Sequence, residues 1–266
     1  MPTSAPLAAT LVRAPRRPGV DPLQPRGTHG ARQIATTRLC LDAGAAASYA
    51  SPGCESVAVL LGGAARATIG AHAFDITRRD VFSERATALF VPAGQTLDIA
   101  ASAALEMMVF AVPVAEGATR TPAMVGPDQV EIHQRGLDGF TREVHDLFVR
   151  DSHVERLMVG ETFNPAGHWS SYPPHKHDGR HGEPDLEEVY YYRIDPPQGF
   201  GTQVMYTHDG EEHVHLVRDG DVVVLPYGYH PVGSPPGYRL YYLWAMVGAE
   251  RRLALYEDPA HVWVKG

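Results

Sequence analysis

Three short stretches of this chain carry side chains that can do chemistry together. SSYPPHKHD places His175 and His177 one residue apart behind Pro173-Pro174; LEEVYYYRID opens on Glu187-Glu188; GDVVVLPYGYH ends on His230. Strand side chains alternate faces. His175 and His177 therefore point to one side with Lys176 opposite, Glu188 shares a face with Tyr190 and Tyr192, and His230 shares one with Pro226 and Gly228. If these faces line one barrel, three imidazoles and one carboxylate converge. Such a nitrogen and oxygen set suits Zn²⁺, Mn²⁺, Fe²⁺ or Ni²⁺ and leaves room for water or substrate. Glu188 is preferred to Glu187 because it stands directly before Val189-Tyr190, and Gly228 lets the backbone turn tightly ahead of His230.

A lone His-x-His is a weak signal, and the chain offers a second one, His213-Val214-His215. No strand opening on glutamate follows it, so it reads as a solvated hairpin face or at most a barrel rim. His168, His181 and His208 read as loop residues. Tyr190 and Tyr192 can orient a substrate or relay a proton; as barrel-filling aromatics they need no such role. No Ser-His-Asp or Cys-His pattern and no nucleotide-binding fingerprint is evident.

The elements that would position these residues are strands. Gly and Pro number 26 and 22, which favours short strands joined by turns. Period-two patterning marks VAVLL, ATIGAHAF, VVVLP and YRLYYLWAMV. The chain also repeats a plan: SVAVLLGG and EVYYYRI each lead through a hairpin to a turn at Arg79-Asp80 or Arg218-Asp219, then a strand and Pro-x-Gly. The expectation is an all-β protein with two copies of one barrel or sandwich: an arm over 1–27, a first half over 28–130 and a second over 131–266. With Ser56 in the place of Glu188 and Thr96 in that of His230, the first half lacks ligands. GFTREVHDLFVR stays undecided, since Phe140, Val144, Leu147 and Phe148 fit helical spacing while a bridging strand fits equally.

The net charge of −8 argues against nucleic acid as a partner. Two cysteines, Cys40 and Cys54, are too few for a disulfide framework and read as buried free thiols. No signal peptide is visible in the Pro-rich start, and no window approaches the ~20 apolar residues of a membrane span. A cytoplasmic location and no membrane partner are the expectations.

The ordered set His-x-His, Glu, Pro-x-Gly, His resembles the cupin superfamily. It departs in two ways: ten residues separate His177 from Glu188, so DGRHGEPDL must loop out, and only Tyr229 stands between Gly228 and His230. GHWSSYPPHKHD, LEEVYYYRIDPPQGFG, PYGYHPVGSPPGYRLYYLWAMVG and EDPAHVWV are similar to the bicupin family of 5-deoxy-glucuronate isomerase, densely over 160–264. The related 5-keto-4-deoxyuronate isomerase family shares the ligand pattern without SSYPPHKHD. His168 stands where that family leads us to expect Asn. The resemblance implies two double-stranded β-helix (jelly-roll) barrels and one divalent metal ion on His175, His177, Glu188 and His230. It implies an aldose–ketose isomerase turning 5-deoxy-D-glucuronate into 2-deoxy-5-keto-D-gluconate through a metal-stabilised enediolate, in inositol breakdown. It leaves the general base unassigned and a homo-oligomer open. The small acidic sugar needs a cation, for which Arg156, Lys176, Arg193 and Arg239 are candidates, although alternation turns Lys176 and Arg193 away from the ligand face. Two other classes use such a scaffold: an Fe²⁺- and O₂-dependent cupin dioxygenase, and a non-catalytic sugar-binding cupin.

Overall fold

The computed structural model describes residues 5–115, 120–150 and 153–266. Among them the elements are strands and short 3-10 turns, with no α-helix, and no helix is long and apolar enough to cross a membrane. The first half is one sheet in the order Gly19–Gln24, Ala35–Leu41, Thr96–Pro113, Cys54–Ile69, Thr87–Val91, Ala123–Val125. Ala46–Ala50 and His72–Arg78 pair with the far ends of its two long strands. Those strands bend where their register shifts between Leu60 and Ala65. Gly63 sits at the bend with φ +107°, and an added Cβ would lie 2.3 Å from the Ala104 carbonyl oxygen.

The second half has a sheet of seven strands ordered Leu11–Val12, Val222–Leu225, Leu186–Asp195, Arg239–Gly248, Met158–Asn164, Arg142–Phe148, Glu131–Arg135. It faces a sheet of four, Trp169–Ser170, Val232–Gly233, Gly201–Tyr206 and Glu212–Val217. Alternation sorts the apolar side chains into separate cores. Ala58 and Leu60 fill the first barrel, Tyr190 and Tyr192 the second, while Val57, Val59, Val189 and Tyr191 turn outward into a common layer between the barrels. Each half therefore encloses its own core, as a bicupin requires.

The pairing register aligns the two copies. Ser56 lies opposite Val91 and Ala111, and Glu188 lies opposite Leu225 and Met246. Pro92-Ala93-Gly94 and Pro226-Tyr227-Gly228 continue directly from Val91 and Leu225, so Thr96 occupies the position of His230.

Two buried carboxylates join the halves reciprocally. Glu55 accepts the backbone N–H groups of Glu155, Arg156 and Leu157 at 2.6–2.8 Å. Glu187 accepts those of Arg32, Gln33 and Ile34, the nearest at 2.6 Å. Each clasped segment leads into an equivalent strand, Met158–Asn164 or Ala35–Leu41. A fully buried ion pair adds to the tie: Arg78 Nη1 donates to Glu161 Oε1 at 2.7 Å, and the Tyr241 hydroxyl donates to the same oxygen at 2.7 Å.

Several sequence expectations are resolved here. GFTREVHDLFVR is a strand over Arg142–Phe148, because it is paired on both sides; only Gly139 and Phe140 at its start belong to a 3-10 turn, Asp138–Phe140. The N-terminal arm is a strap: Leu11–Val12 pairs with the second half, Gly19–Gln24 with the first, and Leu7 is buried. Cys40 and Cys54 are free but half-buried, not buried, since each lies towards the end of a barrel strand.

Removing either clasp carboxylate takes the acceptor from three backbone N–H donors, one of them fully buried (Leu157 or Ile34) and two partly buried. Glu55→Ala and Glu187→Ala should each lose about 3 kcal/mol or more in urea unfolding. Disrupting the exposed pair Arg66–Asp75 should cost under about 1 kcal/mol. Equal losses at both kinds of site would refute the clasp.

Candidate metal centre

Glu187 and Glu188 are adjacent on one strand and face opposite ways. With Glu187 committed to the clasp, Glu188 turns into the second barrel, where Oε2 lies 3.0 Å from His177 Nε2 and 3.4 Å from His230 Nε2. The two imidazoles are oriented from behind. His177 Nδ1 lies 2.7 Å from the Leu186 carbonyl oxygen and His230 Nδ1 lies 3.0 Å from that of Gly228. An Nδ1–H donated to a carbonyl leaves the Nε2 lone pair free to bind a cation. Gly228 has φ +82°, and a Cβ there would meet the Tyr206 carbonyl oxygen at 2.6 Å, so this tight approach admits only glycine. Behind it, Gln203 Nε2 donates to the His230 carbonyl at 2.8 Å and the Tyr192 hydroxyl donates to Gln203 Oε1.

His177, Glu188 and His230 present ligand atoms within 4.8 Å of one another. His175 stands beside this group, its ring centroid 5.0 Å from that of His230 and nearly perpendicular. It sits on the strand His175–Lys176, paired with Tyr256–Glu257. The loop after His177 is pinched shut by an Asp178–Asp185 bridge and by Leu186 N–H donating to the His177 carbonyl. That accounts for the long spacing to Glu188. Lys176, on the opposite face, is buried against Asp178 and Glu183.

The electrostatics fit a cation. His230 Nε2 is buried without a hydrogen-bond partner, an arrangement costly unless something binds there. Burial, then the neighbouring His177, lowers the His230 pKa to about 3. Burial, then His230, His177 and Arg142, holds His175 well below the ordinary imidazole range. Both rings are neutral at pH 7 and ready as ligands. Burial also pushes Glu188 up; at His177 burial works against the charged ring, but the Glu188 hydrogen bond, the Glu188 charge and the Leu186 carbonyl together raise its pKa.

His175 and Glu188 stand in the wall of an open cavity of about 930 Å³. Tyr190 lines it, its hydroxyl 3.2 Å from Ser171 Oγ, whereas Tyr192 lies behind it against Gln203. None of the four cations considered from the sequence lines this cavity. Arg156 is held by Gln33 and the Pro113 and Gly248 carbonyls, Lys176 as above, Arg193 by Glu106 and Asp219, and Arg239 by Asp195. Arg142 does line it, as do Val144 and Asp146 from the same face of their strand. A period-two reading of REVHDLF is the signal that would have found it. The second His-x-His is corrected in part. His213 is half-buried, but His215 is buried beneath the strap, its Nε2 lying 2.9 Å from Thr10 Oγ1 and 3.0 Å from the Leu7 carbonyl oxygen.

The KduI/IolB family profile matches residues 20–264. The chain belongs to the KduI/IolB family. Proteins named 5-deoxy-glucuronate isomerase are similar to it: that of Geobacillus thermodenitrificans is 40% identical over 193 residues, 70% of this chain and 69% of the relative. That of Shouchella clausii is 36% identical over 218 residues, 79% of each. The crystal structure of an IolB-like protein from Salmonella typhimurium superposes with a TM-score of 0.90 at 29% identity, covering 97% of this chain and 99% of its own. Bacillus subtilis oxalate decarboxylase shares the fold at a TM-score of 0.64 and 15% identity, over 96% of this chain and 78% of that one.

For this KduI/IolB member, His177→Ala should abolish most divalent-metal retention measured by metal analysis, while His213→Ala and His215→Ala leave it largely intact. Because burial holds His175 and His230 low while His177 and Glu188 are both raised, metal retention should fall as the pH is lowered and the His177–Glu188 pair takes up a proton. Retention that does not change with pH would contradict the ligand electrostatics.

Proposed function

We propose that this protein is a metal-dependent aldose–ketose isomerase converting 5-deoxy-D-glucuronate to 2-deoxy-5-keto-D-gluconate. One divalent cation per chain would be held by His175, His177, Glu188 and His230. On this reading 131–266 is the metal-binding half, 28–130 a ligand-free copy and 1–27 the strap. The substrate comes from the names of the relatives; the chemistry is supported by the convergence of Glu188 and the unpartnered His230 Nε2 beside an open cavity. A cation bound there supplies Lewis acidity that polarises the substrate carbonyl and offsets the charge that develops on its oxygens.

The chain's own groups must then hold the sugar and manage one proton, which leaves the hydroxyl-bearing carbon and returns to the former aldehyde carbon through an enediolate. Burial, then the neighbouring Glu188 carboxylate and Tyr242 phenol, raise the Tyr190 pKa well above that of free tyrosine. Tyr190 therefore stays a phenol at neutral pH and acts as a hydrogen-bond donor to substrate oxygen, held in place by Ser171. Tyr192, bonded to Gln203 behind His230, supports the ligand without reaching substrate.

The test is an isomerisation assay on 5-deoxy-glucuronate with parallel metal analysis. Metal removal and Glu188→Gln should each nearly abolish turnover, and Tyr190→Phe should lower kcat by roughly 100-fold. Turnover in D₂O should place deuterium on the former aldehyde carbon. A label carried wholly from the substrate carbon would instead indicate a hydride shift and overturn the enediolate route. Oxygen uptake without isomerisation would overturn the proposed activity.

A further inference from the structure

A short acidic sugar must be gripped at two ends, and the ligand cluster accounts for only one. The same cavity contains a guanidinium, Arg142, that has no ion-pair partner among the described residues. Arg142 is half-buried in its wall, and Nη1 donates to the Phe140 and Tyr172 carbonyl oxygens at 3.2 and 3.1 Å. Those two bonds fix the plane of the group, and among the described residues its Nε–H and Nη2–H edge has no hydrogen-bond partner. Among the described residues no carboxylate is within ion-pairing distance of Arg142. By contrast, Arg16, Arg32, Arg78, Arg193 and Arg239 all carry such partners.

Burial is the main influence depressing the Arg142 pKa; the phenols Tyr242 and Tyr190 come next, opposing it, and Glu257 is felt only weakly. A half-buried cation in that state gains from an anion brought to it. Its charge also bears on His175, so it lies in the same electrostatic neighbourhood as the ligand cluster. Other cations in the wall are less suited. Arg135 and Arg150 are exposed, Arg251 is occupied by the Leu157 and Phe148 carbonyls, and Lys265 is paired with Glu257.

We propose that Arg142 receives the substrate carboxylate, fork to fork, and so fixes which end of the sugar meets the ligand cluster. This rests on the isomerase reading above. The planar fork of arginine matches a carboxylate with two parallel N–H···O bonds, which a lysine ammonium does not reproduce. The consequence is selection for a uronate over the corresponding neutral aldose.

The test compares wild type, Arg142→Lys and Arg142→Gln, all metal-loaded, on 5-deoxy-glucuronate and on 5-deoxy-glucose. Calorimetric binding of the non-isomerisable acid made by reducing the substrate aldehyde is measured in parallel. We expect Arg142→Gln to raise KM for the uronate roughly 30-fold or more, with a smaller change in kcat. The preference for uronate over neutral aldose should collapse, and metal content should stay at the wild-type level. Arg142→Lys, which keeps the charge and guards against a folding defect, should fall between. Equal binding of the reduced acid by wild type and Arg142→Gln, or an unchanged uronate preference, overturns the assignment. Failure of wild type to isomerise the uronate while it still binds the reduced acid through Arg142 overturns only the isomerase reading, because that binding needs no turnover.

Discussion

The position of the candidate centre depends on two buried carboxylates that lie outside it. Glu55 and Glu187 each gather three backbone N–H groups from the opposite half of the chain. Strand side chains alternate, so committing Glu187 to the interface commits Glu188 to the barrel interior. A slip of one residue would exchange them and bury a clasp carboxylate among imidazoles. The same constraint sends Ser56 inward in the first half, beside the Tyr49 hydroxyl, in a barrel whose core includes Ala58, Leu60, Leu89 and Leu97. One architecture thus produces a polar centre in one barrel and an apolar plug in the other, and the difference lies in a few inward positions.

The polar centre is locally unfavourable. Four ionisable side chains are buried together, two of the imidazoles are forced neutral, and one nitrogen has no partner. A barrel selected only for stability would fill this space with aliphatic side chains, as the first half does. Rules of packing are broken at functional sites and offset elsewhere. Here the offsets are close at hand: the clasp, the Gln203–Tyr192 relay behind His230, and the closed loop over 178–185.

Much of this was legible in the sequence because it is written in local periodicity. Strand alternation placed His177, Glu188 and His230 on inward faces, and the repeat of Pro-x-Gly after a strand placed Ser56 and Thr96 in register. What escaped was long-range. Nothing local to Glu55 or Glu187 announces partners 102 and 153 residues away. His215 looked solvated because the strap that covers it comes from residues 7–10. Arg142 was hidden by a stretch whose apolar spacing suits helix and strand alike. Pairing with Met158–Asn164 on one side and Glu131–Arg135 on the other settled that ambiguity.

Charge illustrates why the site had to be seen in space. The net charge of −8 describes the whole chain and argues against a polyanionic partner. It does not describe the cavity, whose wall includes Arg135, Arg142, Arg150, Arg251 and Lys265 against Asp146, Glu188 and Glu257. Two of those carboxylates already have partners, since Glu257 is paired with Lys265 and Asp146 lies 3.2 Å from His133. The third, Glu188, faces the ligand cluster. With Lys265 and Glu257 paired, four arginines in the wall face two carboxylates, a balance that favours an anion small enough to enter. An acidic protein can in this way concentrate an acidic sugar, provided that its surplus of carboxylates is spent elsewhere on the surface and in the clasp between the barrels.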